Sequence, residues 1–195
     1  MQTFALLGSH PTLSLAELAV VTGQTPSQTL NDIAIFDDIG MGLAQLNDQL
    51  GGTQKLGVIV GSMPAWNQDE LATFLATDLM STVESGKISF GFSVYDMGNA
   101  SVSIDARRST QALGIETKKH LRDAERSARY VISKSPTLSS IILRTNHLLD
   151  RGAEYCFFMT PSEIIIGRTV AVQDAAAWST RDFGRPRRNA KQGML

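Results

Sequence analysis

Cysteine is nearly absent from this 195-residue sequence, with Cys156 the single instance. One thiol cannot form an internal disulfide. Its setting, Tyr155-Cys156-Phe157-Phe158, reads as buried strand, and both features fit a reducing cytoplasm. Long apolar runs are missing too: no stretch reaches about 18 residues, so no membrane-spanning helix is expected. The N-terminus, Met1-Gln2-Thr3-Phe4-Ala5-Leu6-Leu7-Gly8, has no basic n-region and soon turns polar, unlike a signal peptide. His10, His120 and His147 are scattered, none with a second His or Cys at metal-ligand spacing, and H-E-x-x-H does not occur. Without a G-x-S-x-G elbow, any Ser-His-Asp grouping would be an arbitrary choice. Gly40-Met41-Gly42-Leu43-Ala44-Gln45 lacks the third glycine and the strand–turn–helix context of a dinucleotide loop, and reads as an ordinary helix start. Gly51-Gly52-Thr53-Gln54-Lys55 lacks the Gly-Lys-Ser/Thr order of a P-loop. No internal repeat or low-complexity segment occurs.

Positive charge is almost missing from one half. Residues 1–100 hold two basic residues, Lys55 and Lys87, against ten acidic ones, net −8; residues 101–195 hold sixteen against nine, net +7. The overall charge of −1 hides this split. Such asymmetry suits a second half that meets a polyanion, but solvated charges on an ordinary surface give the same totals.

What is present is an ordinary globular composition, 43% hydrophobic and 19% charged, with strands and helices alternating. Phe4–Leu7 predicts a strand. Ser14-Leu15-Ala16-Glu17 has the spacing of a capping box, with Leu15, Leu18 and Ala19 as the apolar stripe and Gly23 as the stop. Ile33–Phe36 predicts a second strand, Leu43, Leu46 and Leu50 a helix, and Leu56–Val60 a third strand: an α+β layer with helices on one face. After Pro64, Asn67 caps a helix with Leu71, Phe74, Leu75, Leu79 and Val83 inward. Ile88–Tyr95 alternates strictly, with Ile88, Phe90, Phe92 and Val94 pointing one way. A long helix is expected over Ser109–Ser127, with Leu113, Thr117, Leu121 and Ala124 or Ala128 inward. A short strand (130–132) and a helix (139–149) follow. Tyr155–Met159 and Ile164–Val170, joined by Thr160-Pro161-Ser162-Glu163, predict an antiparallel hairpin at a central sheet position.

The cations are the most organised feature. Lys118, Arg122 and Arg126 recur every fourth residue and are expected to share a helix face, flanked by Lys119 and Arg129. The spacings Lys119–Asp123 and Glu125–Arg129 also allow a salt-bridged solvent face. Arg144 and Arg168 stand within apolar elements, as RNA contacts or as core ion pairs. The last residues add Arg181, Arg185, Arg187, Arg188 and Lys191 against Asp182 alone, enough to displace several counterions from a polyphosphate. Trp178 and Phe183 offer either base stacking or packing onto a neighbouring surface.

The order of elements from 67 to 170 resembles the THUMP domain, an RNA-binding α+β module of tRNA-modifying enzymes. Ile88–Tyr95 looks like its first core strand and Leu113–Lys119 like its basic helix. The segment Ile166-Gly167-Arg168-Thr169-Val170-Ala171-Val172-Gln173-Asp174, with Arg181-Asp182-Phe183-Gly184-Arg185-Pro186 and Gly193-Met194-Leu195, is similar to the joint between THUMP and catalytic domains in archaeal-type tRNA guanine-N2 methyltransferases. Gly8-Ser9, Pro11 and Leu13–Leu18 resemble the start of that family's N-terminal ferredoxin-like domain, although three strands are legible where β-α-β-β-α-β needs four.

The resemblance implies an α+β chain in three parts: a ferredoxin-like unit (1–63), a THUMP-like RNA-binding domain (64–173) and a basic linker (174–195). It implies tRNA as partner, and the cations expected to hold it are those picked out by the charge pattern: Lys118, Lys119, Arg122, Arg126, Arg144, Arg168, Arg181, Arg185, Arg187, Arg188 and Lys191. In the family a class I methyltransferase domain follows, carrying the S-adenosylmethionine site and an Asp-Pro-Pro-Tyr-type motif. Neither occurs in these residues. The chain is therefore expected to hold no cofactor and no catalytic residue, and to need that domain in cis or in trans. Thiouridine and pseudouridine synthases and a deaminase also carry THUMP-like domains. A stand-alone adaptor whose basic tail binds a partner protein is the remaining alternative.

Overall fold

The computed structural model describes residues 1–174 and Thr180. The elements run β1 (Thr3–Leu7), α1 (Pro11–Thr22), β2 (Gln28–Leu30), β3 (Ile33–Phe36), α2 (Leu43–Gln49), β4 (Thr53–Met63), α3 (Gln68–Thr82), β5 (Ile88–Asp96), α4 (Ala100–Asp123), β6 (Ala128–Val131), α5 (Ser140–Thr145), β7 (Gly152–Met159) and β8 (Ile164–Val172). One eight-stranded mixed sheet unites them, in the order β2-β3-β1-β4-β8-β7-β5-β6. Its pairs are antiparallel except for β5, which runs parallel to both β6 and β7.

The β7–β8 hairpin forms as expected, closing at Met159↔Ile164. Thr160 fastens the turn: its N–H and Oγ1 both donate to Glu163 O, at 3.0 and 2.7 Å. The pair sits mid-sheet and buries both faces, which explains its near-continuous apolar sequence. Tyr155 and Phe157 lie under Leu71, Leu75 and Leu79 of α3 and Leu113 and Leu121 of α4. Cys156 and Phe158 point the other way, where Phe158 meets Phe4 edge to face at 5.0 Å. Along β1 the same alternation sends Ala5 and Leu7 under Leu18 of α1 and Leu46 of α2. Helices α1–α4 therefore cover one face. The opposite face curls on itself: Ile33 and Ile35 share a buried cluster with Tyr95 and Met97, and Asn31 Nδ2 donates to Asp96 O at 3.3 Å.

Four expectations need correction. The strand missing from the sequence reading is β2, three residues with no buried side chain, visible only through its pairing with β3 across a turn that holds Asn31 at φ 46°. With it, residues 3–63 run β-α-β-β-α-β. Second, Ser14 and Glu17 form no capping box. Pro11 starts the helix three residues earlier, where its fixed φ and missing N–H cost nothing. Ser14 Oγ instead donates to Gly52 O at 2.6 Å, and the Glu17 carboxylate accepts from Gly51 N and Gly52 N at 2.7 and 2.8 Å. A Cβ on Gly52 would stand 2.8 Å from Ser14 Oγ, so the clamp requires glycine. Third, α4 begins at Ala100, not Ser109. Its serine-rich first turns have weak propensity, but buried Ser103 and Ala106 anchor them, with Ser103 Oγ donating to Asn99 O at 2.8 Å. Its end is early as well, so Ala124 lies exposed beyond the helix and Ala128 belongs to β6. Fourth, the helix expected over 139–149 shortens to α5, capped by Ser139 Oγ on Ile142 N.

Candidate nucleic-acid interface

An α-helix turns once in about 3.6 residues, so the positions of α4 sort into lanes. Ser103, Ala106, Leu113, Gly114, Thr117 and Leu121 form the buried lane. Beside it runs an exposed lane of Arg107, Gln111, Lys118 and Arg122, bordered by Arg108 and Lys119. Asp105, Glu116 and Asp123 fall on the flank beyond. Arg107 and Lys118 are eleven residues apart, close to three full turns, and so share a face about 16 Å apart along the axis. The carboxylates reach only the border of the lane and its C-terminal end: Arg108–Asp105 at 3.9 Å, Lys119–Glu116 at 3.0 Å and Arg122–Asp123 at 3.8 Å. These exposed pairs hold the side chains weakly. Hydrogen bonding to Glu116 raises the Lys119 pKa.

The basic lane faces β6, the edge of the sheet. Gly114 packs on the Tyr130 ring, and Tyr130 Oη donates to Thr110 O at 3.1 Å. Beyond Tyr130, residues 132–136 fold back toward the helix and enclose a hollow of about 410 Å³ whose lining includes Arg107, Arg108, Gln111, Tyr130, Ser133 and Lys134. Arg129 is exposed on the edge strand alongside. Three cations around a hollow with hydroxyl, amide and aromatic groups can hold phosphate oxygens and a sugar or base edge.

The residues singled out from sequence fall into three groups. Lys118, Lys119 and Arg122 lie together on α4. Arg126 lies past its end, since the helix stops at Asp123 and Glu125 has φ 58°. Its Nη2 donates to Val83 O at 2.6 Å and closes the C-terminus of α3, where positive charge is favourable. The expected Lys119–Asp123 and Glu125–Arg129 pairing on one helix gives way to Lys119–Glu116. Arg144 is half-exposed, donating to Val172 O at 3.1 Å and pairing with Asp174 at 3.3 Å. Arg168 binds Asp78 at 3.0 Å and also donates to Thr82 Oγ1. Arg181, Arg185, Arg187, Arg188 and Lys191, with Trp178 and Phe183, lie outside the described residues.

Arg107, Arg108 and Lys134 escaped the sequence reading. A helix expected only from Ser109 leaves out the first turns of α4 that carry Arg107 and Arg108. The signal was there: Arg107/Lys118 and Arg108/Lys119 repeat a basic pair at a spacing of three helical turns.

Burial also acts on the cysteine and the tyrosines. Burial, then the nearby Glu154, pushes the Cys156 thiol far above its ordinary range, which disfavours the reactive thiolate. Burial likewise raises Tyr95, Tyr130 and Tyr155. Among the described residues no grouping of His, Cys, Asp and Glu could hold a metal ion, and no helix is long and apolar enough to cross a membrane.

No family model matches the sequence, and no curated protein matches it. Its α+β fold is shared with solved structures. TrmN from Thermus thermophilus superposes with a TM-score of 0.52 at 11% identity, over 89% of this chain and 46% of that one. A 4-thiouridine synthetase, solved as a complex with RNA and bound ATP, gives 0.52 at 14% identity, over 89% of this chain and 42% of that one. At such identities the likeness is one of fold. The chain spans less than half the length of either.

Proposed function

We propose that this chain is the RNA-binding part of a tRNA-modifying enzyme: a ferredoxin-like unit (1–63), a THUMP-like domain (64–173) and a basic linker (174–195). The observation that carries the reading is the unbalanced cationic lane of α4 beside the hollow at Tyr130 and Lys134. The fold shared with a synthetase solved on RNA supports it, as does the β-α-β-β-α-β order of residues 3–63. Contacts are made mainly to phosphates and to RNA shape. Arg107, Arg108, Lys118, Lys119, Arg122 and Lys134 supply them, joined by the cations of 181–191.

The enzyme we favour is a tRNA guanine-N2 methyltransferase, on the resemblance of the 166–195 segment. Its class I domain would bring S-adenosylmethionine and the catalytic residues, and no residue of this chain is assigned to either. A thiouridine synthetase is the second reading, because the fold matches both solved structures equally.

The test is binding of unfractionated tRNA to the 195-residue chain, followed by fluorescence anisotropy between about 50 and 300 mM salt. The expected result is affinity that falls steeply with salt, with a shallower slope once residues 181–195 are removed. Absence of binding at low salt overturns the RNA reading.

A further inference from the structure

Lys55, one of the two basic residues in the first hundred, is buried. It is 4% exposed on β4, with Nζ 2.5 Å from Oε1 of Glu154, which is fully buried on β7. Three further groups complete the cluster. Ser93 Oγ donates to Glu154 Oε1 at 2.5 Å, Thr169 Oγ1 donates to Oε2 at 2.6 Å, and the Tyr95 ring lies 5.8 Å from Nζ. A buried ion pair gives little net stability over a packed apolar pair, because desolvation offsets the attraction.

The cluster ends on one backbone unit. Leu138 N donates to Ser93 Oγ at 2.8 Å, and Lys55 Nζ donates to Leu138 O at 2.8 Å. Both polar groups of Leu138 are thus held by buried side chains from β4 and β5. Two residues earlier, Pro136 O accepts from Val94 N at 3.0 Å. The segment fixed in this way joins β6 to α5, and it is the segment that carries Lys134 to the hollow opposite Arg107 and Arg108.

We propose that Lys55, Glu154 and Ser93 are positioning residues for RNA binding. They set the height of the 132–139 loop and thereby the place of Lys134, so the N-terminal part of the chain contributes to affinity without touching RNA. The proposal rests on the RNA reading above.

The experiment is a double-mutant cycle on the full chain with unfractionated tRNA. Lys134→Ala should weaken binding about threefold to tenfold in the wild-type background, as expected for one phosphate contact, and lower the salt slope by about one. In a Lys55→Met, Glu154→Leu background both charges go together, but the Ser93 and Thr169 hydroxyls and Leu138 O lose these partners, so the melting temperature should fall while the protein stays folded at the assay temperature. Affinity should drop about as much as in Lys134→Ala, and adding Lys134→Ala should then cost less than about twofold. Full cost of Lys134→Ala in both backgrounds overturns the proposal, as does wild-type affinity of the charge-free variant. If that variant does not fold, Ser93→Ala, which frees Leu138 N–H and takes one hydrogen bond from Glu154 while keeping both charges, enters the same cycle with the same two outcomes. Amide exchange at Leu138 separates the two readings. Faster exchange in the variants with no wild-type tRNA binding sinks the RNA reading alone; unchanged exchange sinks the positioning role alone.

Discussion

Arg168 Nη1 lies 3.0 Å from Asp78 Oδ2, and the Tyr155 hydroxyl donates to the same oxygen at 2.5 Å. The three side chains tie β8 and β7 to α3 beneath a mostly closed surface, with Arg168 22% exposed. Arg168→Ala would leave a half-buried carboxylate short of its partner, a loss of about 2 kcal/mol. The expected outcome is a lower urea midpoint at unchanged m-value, with tRNA affinity altered less than about twofold when measured on folded protein.

The α4 lane makes the opposite prediction. Arg107, Lys118 and Arg122 are exposed, so replacing each by alanine should change stability by less than about 0.5 kcal/mol. Each should weaken tRNA binding at all sequences alike and reduce the salt slope by about one. Asp105→Asn, which frees Arg108 from its weak pair, should not lower affinity or reduce the slope. Anisotropy titrations at several salt concentrations check both.

Gly114 controls how closely the lane approaches the edge strand. A Cβ there would stand 2.4 Å from the Tyr130 ring, which is itself packed on Phe90 and Phe92 at 5.4 and 5.2 Å. In an open helix Gly→Ala gains up to about 1 kcal/mol. Here the ring cannot yield cheaply, and a net loss of about 1–3 kcal/mol is expected. Calorimetry decides the sign, and tRNA affinity should fall with it because Tyr130 lines the hollow.

Alkaline pH should lower the protein's stability in two stages. Cys156, Tyr95 and Tyr155 have folded pKa values raised by burial from ordinary values of 9.0 for the thiol and 10.0 for the phenols. A raised value means the native state keeps protons that the unfolded chain gives up. Their contribution is therefore complete below the unfolded pKa and declines as pH rises above it, by about 1.4 kcal/mol per pH unit for each group. Urea melts should show the decline starting near pH 9 and steepening beyond 10. In Cys156→Ala the first stage should vanish and the second remain.

Much of the fold is written locally. Alternation along Ile88–Tyr95, the apolar runs either side of Thr160–Glu163, and the Asn67 cap each predict an element by short-range physics. The same holds for the basic character of α4. Other features exist only through distant partners. β2 is too short and polar to declare itself until β3 pairs with it. Ser14 and Glu17 have the spacing of a cap, yet meet Gly51 and Gly52 because Pro11 has already begun the helix. The first turns of α4 are held by burial, not propensity, and with them Arg107 and Arg108 join the lane. What the sequence by itself determined is which residues are basic, which apolar, and at what period. The tertiary structure decided which cations remain available: it spent Lys55, Arg126 and Arg168 on Glu154, Val83 and Asp78, because an unpartnered charge or carbonyl in a packed interior is costly. It left Arg107, Lys118 and Arg122 facing water.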